Sequence, residues 1–112
     1  MKIEELATVT IDRTNDVVTV QIAGEIDSSN AHGIGELITS AETGARACIV
    51  DLTLLTYLDS AALTMLHRFA QLPTPLLLVT PAGSRATRLI EIGGLDTILT
   101  TPRTMESALA AL

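Results

Sequence analysis

Residues 47–52 read Ala47-Cys48-Ile49-Val50-Asp51-Leu52. A run so nearly apolar marks a strand covered on both faces, and such strands occur most often in parallel sheets. Asp51 stands at its carboxyl end. A second run, Leu76 to Val79, reads as another buried strand. Strands of this kind need helical crossovers, and the flanking sequence changes to a helical period on both sides. Upstream, Ala31, Ile34, Leu37, Ile38 and Ala41 form one stripe, with Ser28 or Ser29 available as N-cap and Gly33 and Gly35 weakening the helix. Between the two runs, Ala62, Leu63, Met65, Leu66, Phe69 and Ala70 form a second stripe, opened by Asp59 or Ser60 as cap and stopped before Pro73. A third helix starts from Ser84, passes through Ala86, Leu89 and Ile90, and ends at Gly93-Gly94.

Toward the N-terminus, Thr8 to Ile11 and Val17 to Ala23 read as two strands joined by the polar stretch Asp12 to Asp16. Val18, Val20 and Ile22 point one way and Thr19, Gln21 and Ala23 the other, so one face is the better buried. At the far end, Thr97 to Thr100 reads as a short last strand. Thr101-Pro102 then opens a final helix, with proline at the first helical position and Met105, Ala108, Leu109 and Leu112 on its apolar face. The order is β-β-α-β-α-β-α-β-α. It implies an α/β fold with a mixed, mainly parallel sheet of about five strands and about four helices. At 112 residues, the chain is expected to be one domain spanning 1–112.

Composition narrows the function. Hydrophobic residues make up 47% of the chain, which excludes a disordered tail. Only Tyr57 and Phe69 are aromatic, too few for platforms that stack nucleic-acid bases. The formal charge of −6 opposes contact with phosphate backbones and anionic membranes. The lone cysteine, Cys48, cannot form an internal disulfide and reads as a small buried hydrophobe in a reducing compartment. Two glutamates interrupt the N-terminal segment where a signal peptide needs an apolar stretch. No apolar run approaches the roughly 20 residues needed to span a bilayer. A soluble, cytoplasmic protein is expected.

Open parallel sheets place their sites in loops beyond the carboxyl ends of the strands, here Gly24 to Ser29, Leu54 to Ser60 and Thr80 to Ser84. Catalysis finds little there. The bases on offer are His32 and His67; Ser60 and His67 lie seven apart on one helix, about 10.5 Å of rise, and cannot hydrogen-bond. No glycine flanks Ser60 as a nucleophile elbow requires, no phosphate loop is present, and the histidines and cysteine follow no metal-ligand spacing. Asp51 could suggest a phospho-aspartate receiver, but the only lysine is Lys2. Neither an enzyme nor a cofactor or metal is expected. What remains is the cluster Asp27, Asp59 and Ser60. Ser60 is an exposed hydroxyl at a helix start, where the dipole also suits a phosphate, although Asp-Ser is equally an ordinary helix cap.

Taken together these residues resemble the STAS family, found in bacterial anti-sigma factor antagonists and in sulfate-transporter tails. Gly24-Glu25-Ile26-Asp27 is similar to the family's G-E-[LI]-D, and Ile49 to Thr53 followed by Tyr57-Leu58-Asp59-Ser60 is similar to its strand, loop and D-S-x-G helix start. Leu89 to Leu95 resembles the end of its third helix. The resemblance implies an anti-sigma factor antagonist whose Ser60 is phosphorylated by an anti-sigma factor that is itself a serine kinase, with Asp27 and Asp59 beside the acceptor. A phosphatase would reverse the modification. The chain departs from the family pattern at Ala62, which stands where the family has glycine and would place a methyl at the partner interface. Two further readings stay open: a phosphorylation-independent subunit of a lipid-transport or stress-signalling assembly, and a module binding a small ligand or, weakly, a nucleotide through the Asp27 and Thr80 to Ser84 loops.

Overall fold

The computed structural model describes residues 2–3 and 6–112. Its sheet begins with β1 (Lys2–Ile3), β2 (Ala7–Thr14) and β3 (Val17–Ile26), paired antiparallel in that order. The β2–β3 connection is tighter than the polar stretch suggested. The strands run on to Thr14 and Val17, leaving Asn15 and Asp16 as a two-residue turn with φ of 53° and 64°. Asn and Asp tolerate that left-handed backbone, and its twist matches the strands it joins.

From β3 the sheet turns parallel. Val17 to Gln21 pair with β4 (Ala47–Asp51), and Cys48 to Asp51 pair in turn with β6 (Leu76–Val79). Between them β5 (Leu55–Leu58) pairs with the far end of β3, in the register Glu25 to Tyr57 and Ile26 to Leu58. β5 falls within the Leu54 to Ser60 stretch expected to be a loop, because Leu55-Thr56-Tyr57-Leu58 has neither the continuous apolar run of β6 nor a strict alternation.

Gly24 makes the shift of partner workable. Its φ is +103°, and a Cβ there would lie 2.2 Å from the Leu6 carbonyl oxygen. That oxygen accepts a bond from Glu25 N–H at 3.0 Å, while Gly24 N–H donates to Leu54 O at 3.1 Å. A residue with a side chain would break this junction of three segments.

Helices α1 (Ala31–Glu42), α2 (Ser60–Phe69) and α3 (Arg85–Ile92) contribute to one large core with Ile22, Ile26, Val50, Leu58 and Leu78. Ile34 and Ile38, Leu66, and Ile90 are their anchors. On the opposite face Val17, Ile49, Leu77 and Val79 form a smaller core under α4 (Met105–Ala110), through Ala108. Cys48 and Val50 therefore face one core and Ile49 the other, and all of β4 is buried. This is the two-sided burial that its apolar sequence called for.

The C-terminal segment departs from expectation. Residues 95–97 form a 3-10 turn, and Thr97 to Thr100 make no strand beyond a single parallel bridge between Thr100 and Leu77. Leu78 N–H donates to Thr100 O and Thr80 N–H to Pro102 O, each at 2.9 Å. Pro102 has no N–H to continue the ladder, so the segment lends carbonyls to the β6 edge without becoming a strand. Nor is Pro102 the first residue of the last helix. With residues 100–102 held against β6, α4 starts at Met105, where the Thr104 hydroxyl accepts the Ser107 N–H at 3.0 Å. Only Ala108 of the expected stripe is buried; Leu109 and Leu112 stay exposed.

Candidate functional site

The β3–β5 pair delivers two loops side by side. Past the Ile26–Leu58 register, β3 continues into Asp27 and β5 into Asp59, and Asp59 N–H donates to Ile26 O at 3.2 Å. Asp59 has extended backbone and caps α2, its Oδ1 accepting Ala62 N–H at 3.1 Å. Its other oxygen, Oδ2, accepts Ser28 N–H at 3.1 Å. One carboxylate thus fixes the start of α2 and clamps the β3–α1 loop to it. Charge-assisted bonds of this kind are stronger than neutral ones.

Asp27 is set by its own loop. Its Oδ1 accepts Ser29 Oγ–H at 2.6 Å and Ser29 N–H at 2.8 Å. The Ser29 hydroxyl first, then the Ser29 amide, hold this carboxyl below the usual carboxylate range against the opposing effect of desolvation, with a lesser part from the Asn30 backbone.

Neither Ser28 nor Ser29 caps α1. Asn30 precedes the helix and turns its side chain inward, where it is 1% exposed. Its Oδ1 accepts Asp27 N–H at 2.9 Å and its Nδ2 donates to Glu25 O at 3.0 Å. A buried amide satisfied on both sides is a template for the loop around it. Sequence reasoning passed over Asn30 because the adjacent serines offer the same capping chemistry; the burial of the position is what separates them.

Ser60 is the first residue of α2, exposed, beside the clamp that Asp59 makes. The structure brings Asp27, Asp59 and Ser60 together at the carboxyl edge of the sheet. Ala62 does not join them at the surface. Its side chain is fully buried, so the methyl expected at an interface packs in the core instead. The helical twist explains this: two residues beyond an exposed Ser60, the chain has rotated about 200° toward the sheet.

Elsewhere, Asp51 is 5% exposed and committed to Thr53, through its N–H at 2.9 Å and its hydroxyl at 2.5 Å. In the third loop, Ser84 caps α3 by accepting Thr87 N–H, and Thr87 donates to Pro81 O. The loop's residues thus serve the α3 start. Arg85 lies 5.5 Å from the centre of the Tyr57 ring, tying α3 to β5. His32 pairs with Glu36 at 3.0 Å on α1, and His67 lies 3.4 Å from Gly93 O, so the two histidines serve separate helices. Cys48 is buried, and desolvation, aided by the Glu42 charge, pushes its thiol up to about 12. Among the described residues no group of three His, Cys, Asp or Glu could hold a metal ion, and no helix is long and apolar enough to cross a membrane.

Residues 8–108 match the family model of the STAS domain. The architecture is that of an α/β domain with a mixed sheet and four helices, and the chain belongs to the STAS domain family. No curated protein matches its sequence. Among solved structures it is similar to an anti-sigma factor antagonist from Mycobacterium paratuberculosis, with a TM-score of 0.86 at 24% identity, covering 99% of this chain and 97% of that one. The anti-sigma factor antagonist SpoIIAA in its unphosphorylated form aligns at a TM-score of 0.68 and 16% identity, over 93% and 96% of the two chains. The Bacillus SpoIIAA in its phosphorylated form aligns at 0.61 and 18%, over 93% and 98%. At these identities what is shared is the fold.

Proposed function

We propose that this chain is an anti-sigma factor antagonist, that residues 1–112 form one such module, and that Ser60 is its switch. Unmodified, it binds an anti-sigma factor that is also a serine kinase and so releases a sigma factor in the cytoplasm. Phosphorylated at Ser60, it lets go; a phosphatase resets it. The observation that carries this reading is an exposed serine at a helix N-terminus, flanked by a carboxylate clamp that presets the neighbouring loop. The histidines and Cys48 are engaged elsewhere, so the chain acts by binding rather than by catalysis.

The physical logic lies in charge. A phosphate adds about −1.5 to −2 to a surface that already carries Asp27 and Asp59. Desolvating that charge against a partner fitted to a neutral serine is costly, while the α2 N-terminus accommodates an anion without unfolding. The test is pairwise binding to each anti-sigma serine kinase encoded with it. Ser60→Ala should bind constitutively, and Ser60→Asp should lose binding with an unchanged circular dichroism spectrum. Equal affinity of both variants for every kinase would sink the proposal, and a stable complex indifferent to residue 60 would favour an assembly subunit instead.

A further inference from the structure

A groove of about 670 Å³ runs between α1 and α2, from Ser28 and Ala61 beside the Asp27 and Asp59 loops down the two helices, open along one side to solvent. Its volume lies within the range of small-molecule sites. Ala31, Met65, Phe69 and Leu72 supply an apolar floor; methionine is the most adaptable of these, able to reshape itself around a guest. Gly35 lets the two helices close beneath it, since a Cβ there would stand 3.1 Å from Met65 Cγ. Both helices start at the carboxyl edge of the sheet, so the groove has a direction. Its upper end is at Ser28, Ala31 and Ala61, and its lower end at Thr39, Ser40 and Arg68.

Charge is distributed unevenly along it. On the α1 rim His32 Nε2 lies 3.0 Å from the Glu36 carboxylate. Arg68, on α2, makes no ion pair among the described residues, although the chain as a whole carries −6. An uncommitted guanidinium at one end of an apolar trough matches a ligand with an anionic head and an aliphatic tail. The ten residues of α2 rise about 15 Å, enough for a medium-length chain laid along the floor.

The geometry points to a binding site for a single-chain aliphatic carboxylate, its head on Arg68 with the Ser40 hydroxyl nearby, its tail running toward Ala31. The assignment does not rest on the reading of Ser60 as a switch, and its test needs no protein partner.

The experiment is a two-dimensional amide NMR titration of the intact chain with sodium decanoate below its micelle concentration, with decyltrimethylammonium and decyl maltoside as matched-tail controls. The expected result is saturable shifts confined to residues 28–40 and 61–72, with neither control competing. Arg68→Glu, at an exposed position, should weaken decanoate about tenfold. Thr64→Trp, which overhangs the floor, should abolish binding while leaving the remaining spectrum in place. Absence of saturation, equal binding of the cationic or neutral amphiphile, or an unchanged affinity in both variants each overturns the assignment.

Discussion

Asn30 is the residue on which the candidate site is built: its side chain templates the Asp27 loop while its carbonyl accepts the Ile34 N–H of α1. Removing its buried side chain takes away these bonds to Asp27 N–H and Glu25 C=O in a part-buried loop. Asn30→Ala should therefore cost about 1–3 kcal/mol, read as a lower urea midpoint at unchanged slope. Asn30→Ser, which restores only one bond, should fall between. Asp27 makes a second residue-scale prediction through its bonds to Ser29. Its folded-state carboxyl is depressed, so the stability it contributes is present above the ordinary carboxylate range and is lost as pH falls through the folded value. NMR titration should find Asp27 ionising below an unperturbed aspartate, and Ser29→Ala should move it back up. A midpoint unaffected by Ser29→Ala would remove the hydroxyl as the cause.

At the scale of elements, the decisive junction is the middle of β3, where one strand changes partners. Gly24 stands at the register shift, with positive φ and no room for a Cβ against the Leu6 carbonyl. Gly24→Ala combines backbone strain with a direct clash, and should destabilise by at least about 2 kcal/mol. Because β5 hangs from this junction, the damage should reach the site. Amide exchange should quicken at 55–58 and at Ser28 before it quickens in β4, whereas uniform change across the sheet would mean that the junction is not local. Gly33, by contrast, meets nothing within 4 Å. Gly33→Ala should raise stability, by less than the about 1 kcal/mol of a helix interior because residue 33 lies in the first turn of α1.

For the molecule as a whole, β4 is the centre, buried on one face by three helices and on the other by α4. Cys48 reports on that centre. Buried and with its thiol pushed up to about 12, it should resist Ellman's reagent at neutral pH and react only at the rate of global opening. Its labelling rate should then follow denaturant along the unfolding curve. Fast labelling in water would mean that the sheet opens without unfolding. The same bilayered burial leaves the carboxyl-edge loops free to carry recognition, because nothing in the cores depends on Ser60.

How much of this was legible beforehand depended on length and on competition. The strands at 47–51 and 76–79 and the helix starts at Asp59 and Ser84 were readable, because continuous apolar runs and cap residues act locally. β5 was not, since Leu55-Thr56-Tyr57-Leu58 lacks a continuous apolar run, and the strand expected at Thr97 to Thr100 shrinks to one bridge because Pro102 cannot continue the ladder. Asp27, Asp59 and Ser60 could be singled out as polar residues in the right loops. That Asp59 clamps both loops, that Asn30 rather than a serine organises α1's approach, and that Ala62 points into the core all follow from three-dimensional packing. The sequence by itself determined the α/β alternation, the aliphatic core and the chemistry on offer, because periodicity and composition are local. Only the tertiary structure decided which of those groups meet, because pairing β5 with the far end of β3 is a long-range contact that brings residues 27 and 59 to one edge.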